Sequence, residues 1–226
     1  MDPSLVASAT IHRSPDPEER NVARPTKYDD AQLLDRACDL LWRDGCDATT
    51  VRDLEVALDL QAPSLYRRFG SRAALIARSV DRYVDTVVAG RIRTHLDGAA
   101  DPVKGLRVFF LTVLAPMPGE ERPRGCLLTT AAGQDILDEP AVRRSVRRGL
   151  DMIDQAFART VRRAADDGRL TSGADVGAVA SGLLASFEGL LVLARLGHAG
   201  LATGVDTTFA ALFPDRPSPE RTPHHG

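Results

Sequence analysis

The sequence predicts an all-α protein, on three observations. Apolar residues return at three- and four-residue steps through most of the chain, strand-type alternation is hard to find, and helix caps and stops punctuate the first third. A chain of 226 residues that is 43% hydrophobic can bury one large core or two modest ones. Lys and Arg number 29 against 31 Asp and Glu, so any basic surface must be local. The three cysteines form no Cys-x-x-Cys pair, which suits a reducing compartment better than a disulfide framework or a zinc knuckle. No metal or cofactor is expected. The N-terminus does not read as a secretory leader, and no run nears ~18 consecutive apolar residues, so a cytoplasmic protein that does not span a membrane is expected.

The elements follow in order. Residues 1–25, with Pro3, Pro15, Pro17 and Pro25, read as a disordered leader, and residues 214–226 as a disordered tail. Thr26 and Asp29 have capping-box spacing. Leu33, Leu34, Ala37, Leu40 and Leu41 then mark a helical face that Gly45 stops. A second box, Thr50 with Asp53, opens a short helix ending near Asp59. Pro63 suits the first turn of a third helix, Ala62 to Phe69, closed by Gly70. Ser71 can cap a long helix to about residue 97, carrying Leu75, Ile76, Val80, Tyr83, Val84 and Val87. Leu106, Phe109, Phe110, Val113 and Leu114 form the next stripe. From Pro140, Val142, Val146, Leu150, Ile153, Phe157, Val161 and Ala164 repeat almost every seven residues, with Arg143, Arg144, Arg147, Arg148, Arg162 and Arg163 expected outward. A last long segment, 174–196, is nearly uncharged. These elements divide the chain into residues 26–72, with short helices, and 73–213, a bundle of long ones.

The short helices suggest a mechanism. A helix-turn-helix lays its second helix in the major groove while its flanks hold phosphates. In Ala62–Phe69, Leu65 and Phe69 would anchor the helix to the core and leave Ser64, Tyr66, Arg67 and Arg68 reaching outward. Residues 61–80 hold Arg67, Arg68, Arg72 and Arg78 without an acid, as a phosphate-facing surface requires. Thr50-Val51-Arg52-Asp53-Leu54 followed by Gln61-Ala62-Pro63-Ser64-Leu65-Tyr66-Arg67-Arg68-Phe69-Gly70-Ser71-Arg72 resembles the DNA-binding domain of the TetR family. The likeness is detailed over residues 27–87 and elsewhere extends to helix number and length. It implies DNA contacts at Lys27, Thr49, Thr50, Arg52, Gln61, Pro63, Ser64, Tyr66, Arg67, Arg68 and Arg72. Two residues depart from the pattern: Asp59 stands where the family prefers glycine, and Glu55 where it often has a small or apolar residue.

The same resemblance implies a homodimer that binds palindromic DNA as a repressor and is released by a small-molecule effector; an activator would read alike. For dimerisation the apolar recurrence Val176, Val179, Leu183, Phe187, Leu190 and Leu191 is expected, with an intrachain core helix as the alternative. A mostly apolar, uncharged ligand is expected against Phe109, Phe110, Leu114, Met117, Cys126, Met152 and Phe157. Gly125-Cys126-Leu127 looks like a run in TetR-type regulators, some of which sense electrophiles. Arg122 and Arg124 could lower that thiol's pKa, and a buried structural cysteine is the alternative. Cys38 and Cys46 read as structural. Other readings are an all-α enzyme with Cys126 as nucleophile and a helical adaptor or carrier. No catalytic residue is expected otherwise.

Overall fold

Local capping chemistry sets the first helices. The computed structural model describes residues 29–116, 119–120 and 123–214. The expected leader, Thr26, Lys27 and the tail after Pro214 lie outside these. Helix α1 (Asp30–Asp44) starts from Asp29 as N-cap, with no side-chain cap bond, and stops at Gly45 with φ 90. Asp29 thus occupies the cap itself instead of the third helical position that the expected box required. The second box forms: Thr50 Oγ1 accepts from the Asp53 N–H at 3.3 Å, and Asp53 accepts from the Thr50 N–H at 2.8 Å. It opens α2 (Val51–Leu58), which Asp59 ends in the left-handed region, φ 53 and ψ 45. Helix α3 (Ala62–Phe69) follows, with proline in its first turn and Gly70 after it.

Ser71 accepts from the Ala74 N–H at 3.0 Å and starts α4 (Arg72–Tyr83). The helical path continues unbroken through a π-helical turn (Val84–Val88), α5 (Ala89–Arg91) and a second π-helical stretch (Ile92–Asp97). Each π turn takes in an extra residue and rotates the following face. Val88 is buried in the core, and the expected Val87 packs against it half-buried. Helix α6 (Pro102–Thr112) is capped by Asp101, which accepts from the Val103 and Lys104 N–H groups at 2.9 and 3.0 Å. Then come α7 (Leu127–Ala132), a 3₁₀ turn (Asp135–Asp138), α8 (Pro140–Asp166), α9 (Val176–Arg195) and α10 (Leu201–Leu212).

Helix α8 is the spine, packed along α4, α6 and α9. Its Gly149 lets the helices close: a Cβ there would lie 2.6 Å from Leu128 Cδ1 and 2.8 Å from Val84 Cγ2. Arg143, Arg144, Arg147, Arg148 and Arg162 face outward as expected. Arg163 does not; it is half-buried and donates to the Leu96 and Ala99 carbonyls at 3.0 and 2.6 Å. A cation is favoured there because the last carbonyls of a helix lack intrahelical partners.

Two apolar cores result. The smaller joins Leu33, Leu34, Ala37 and Leu40 to Leu54, Leu58, Leu65, Phe69 and Leu75. The larger fills the bundle and takes Cys38, Leu41 and Trp42 from the other face of α1 and Cys46 from the turn after it. At its centre Phe110 lies 5.1 Å from Phe187 and 5.2 Å from Phe209, and Phe109 lies 5.4 Å from Phe157.

Helix α9 faces two ways. Leu183, Phe187, Leu190 and Leu191 are buried in the chain's own core, with Val176 and Val179 packed at its edge. Of these six, expected to meet a second subunit or else to form an intrachain core face, the four buried ones follow the second reading. Its outer side shows Ser181, Gly182, Ala185, Gly189, Val192 and Leu193. By length and mean hydropathy, 1.9 in its most apolar window, α9 would suffice to cross a membrane, and 28% of that window is buried.

Candidate nucleic-acid interface

Burial of Leu65 and Phe69 fixes which side of α3 faces out. Gln61, Pro63, Tyr66 and Arg67 are exposed, and Ser64 is half-buried. Thr50 and Arg52 are exposed at the start of α2, with the Thr50 hydroxyl engaged in its capping box. Seven of the expected contacts are thus accessible together on α2 and α3.

Three others turn inward. Thr49 is 2% exposed and its hydroxyl donates to the Gly45 carbonyl at 2.7 Å. Arg68 is half-buried in an ion pair with Asp30. Arg72, expected on a phosphate, donates from Nε to the Thr49 carbonyl at 3.0 Å and from Nη2 to the Cys46 carbonyl. Both arginines hold the domain together. Asp30 also accepts from Arg78 at 2.8 Å, and the Arg78 guanidinium lies 5.0 Å from the centre of the Phe69 ring. Hydrogen bonds from Arg78 and Arg68 hold the Asp30 carboxyl below the usual carboxylate range.

Two acids missed as functional are structurally placed here. Asp30 ties α1 to the end of α3, and Glu55 Oε1 accepts from the Ala62 N–H at 2.5 Å. Glu55 was legible only as a departure from the family pattern. Asp30 carried no local signal, since Arg68 lies 38 residues away.

The turn after α1 is clasped to the body. Gln134 Oε1 accepts from the Cys46 N–H at 2.8 Å, while Asp47 accepts from the Asp135 and Ile136 N–H groups at 2.7 and 3.0 Å. Trp42 wedges beside them. Its indole N–H donates to the Gly125 carbonyl at 3.3 Å, and its ring lies 5.0 Å from Tyr83.

The expected effector lining is mostly filled. Phe109, Phe110 and Phe157 pack on one another, and Leu114 and Met152 pack against that core. Met117 lies outside the described residues. A groove of about 420 Å³ instead lies between α9 and α10, lined in part by Phe110, Ser186, Leu193, Val205, Thr208 and Phe209. Of the expected lining, Phe110 reaches it. Cys126 is buried and its sulfur accepts from the Tyr83 hydroxyl at 3.5 Å. Burial pushes its thiol up. Arg124 is committed to Glu120 and Asp39, and Arg122 lies outside the described residues. The burial of Cys126 favours its structural reading over a reactive thiolate or a nucleophile. Among the described residues no group of three His, Cys, Asp or Glu side chains could hold a metal ion.

A short exposed helix braced by two others, on a bundle of long helices, defines a helix-turn-helix regulator. Residues 33–78 match "Bacterial regulatory proteins, tetR family" and residues 102–204 match "Tetracyclin repressor-like, C-terminal domain". The chain belongs to the TetR family. It is 23% identical to the HTH-type transcriptional repressor ComR of Escherichia coli over 79% of this chain and 85% of that one. A cysteine mutant of the TetR family regulator CifR, solved on a 26bp double-strand operator DNA, aligns with TM-score 0.72 at 28% identity, covering 83% of this chain and 99% of that one. Reduced NemR of Escherichia coli has the same fold, with TM-score 0.73 at 14% identity over 82% of this chain and 97% of that one.

Proposed function

We propose that the chain is a DNA-binding transcriptional repressor, not an enzyme. It acts in the cytoplasm as a homodimer, grips a palindromic operator and is released by a small-molecule effector. The carrying observation is the exposure of Gln61, Pro63, Tyr66 and Arg67 on a helix that Leu65 and Phe69 lock to the core. Such a helix can enter a major groove without unfolding its support, and Arg52 and Arg67 add positive charge where phosphates run. Likeness to CifR, bound to operator DNA, supports the reading. Residues 26–72 would be the reading head and 73–213 the body. Two heads brought together through the outer sides of α9 and α10 would meet successive grooves ~34 Å apart. An effector, small and mostly apolar, would favour a conformer in which the rod from Arg72 to Asp97 has swung, a linkage that needs no chemistry.

Selection of bound fragments from a random duplex pool tests this. A two-fold-symmetric site, with affinity falling linearly in log–log with salt, is the expected result. A monomer indifferent to duplex DNA overturns it.

A further inference from the structure

The turn between α2 and α3 is built around one acid. Asp59 adopts a left-handed backbone, costly for residues with a Cβ though less so for Asp. Glu55, in the last turn of α2, closes both sides of it. Its carbonyl accepts from the Leu60 N–H at 3.1 Å, and its carboxylate accepts from the Ala62 N–H at 2.5 Å. The opening N–H groups of a helix have no partner within it. In α3 the N-cap Gln61 makes no side-chain cap bond, and Pro63 has no N–H. The Ser64 and Leu65 N–H groups donate to the Gln61 carbonyl at 2.9 and 3.0 Å. That leaves Ala62, and Glu55 satisfies it from the neighbouring helix. The carboxylate also faces the positive end of the α3 dipole.

We infer that Glu55 is a positioning residue that sets the angle at which α3 meets DNA, and so its discrimination between sequences. The inference rests on the DNA-binding reading above. Leu65 and Phe69 keep α3 on the core whatever happens at its start, so loss of the Glu55 bond frees the N-terminal turn without releasing the helix. Gln61, Pro63 and Ser64 stand on that turn. Base contacts require fixed geometry, whereas phosphate attraction tolerates a looser pose. Specific binding therefore suffers and non-specific binding does not.

The test compares wild type, Glu55→Ala and Glu55→Gln, as full chains, on a duplex selected from a random pool and on its scrambled counterpart. Glu55→Ala should lower the ratio of the two affinities about tenfold, the scale set by losing a helix cap. Glu55→Gln, whose amide oxygen accepts the same bond, should stay within about twofold of wild type. The salt slope should be the same in all three, because no phosphate contact is removed. An unchanged ratio in Glu55→Ala, or an equal fall in Glu55→Gln, overturns the inference. Should Glu55→Ala fail to fold, Glu55→Met, similar in length but without the acceptor oxygen, makes the same comparison. A wild type that selects no sequence defeats the DNA-binding reading itself and this inference with it, an outcome distinct from a selective wild type with an unaffected variant.

Discussion

Arg67 and Arg68 are neighbours in the chain and part company in space. Arg67 is exposed on α3, so Arg67→Ala should weaken binding to all duplexes alike and lower the salt slope by about one, read by titration at several salt concentrations. Arg68→Ala should lower thermal stability and leave that slope unchanged, because its partner is Asp30. Arg72→Ala should cost about 1–3 kcal/mol in a urea melt, the scale for buried carbonyls stripped of a donor. Asp30 predicts a pH effect with a definite sign. Its folded pKa lies below the unfolded value of about 3.9, so its contribution is fully present above that value. The contribution is lost as pH falls through the lower folded pKa, and Asp30→Asn should remove it, so the urea midpoints of variant and wild type converge in acid. At this scale the sequence revealed which residues anchor α3 and which turn outward. It could not separate Arg67 from Arg68 or Arg72, because their difference lies in an acid far upstream and in backbone carbonyls, which leave no mark on the pattern of arginines.

Helix ends were legible at most local signals, though the Thr26–Asp29 spacing misled, since Asp29 is itself the N-cap of α1. Thr50 with Asp53, Gly70 and Ser71 act within three or four residues, and each appears where spacing placed it. The π turns were not legible, since Val80, Tyr83, Val84 and Val87 suit an ordinary helix equally well. In α9 apolar periodicity marks the face that packs on the chain itself, the intrachain alternative for its six apolar residues. Close approach predicts a further result. A Cβ on Gly105 would collide with the His95 carbonyl oxygen and lie 2.7 Å from Ala99 Cβ. Gly105→Ala should therefore destabilise by about 1–3 kcal/mol in a urea melt, overriding the ~1 kcal/mol that alanine ordinarily gains in a helix.

At the scale of the whole molecule, α1 serves both cores, one face in the reading head and the other in the body. The clasp of Asp47 and Gln134 adds a polar tie at its end. Trp42, the chain's one tryptophan, stands at this junction, 5.0 Å from Tyr83 on the rod. Its emission should shift when an effector moves the head against the body, and silence of Trp42 during effector-driven release from DNA would refute motion through this junction. The bundle was legible in the heptad of residues 140–164, whereas the phenylalanine cluster filling the expected pocket depends on how four helices converge.

The outer side of α9 leaves Val192 50% and Leu193 39% exposed to water. If that surface is covered by pairing, the head-bearing species is governed by mass action. In the dilute regime its amount grows as the square of the copies made, so halving synthesis would remove about three quarters of it. Gene dosage would then set the threshold for silencing alongside the chemical signal.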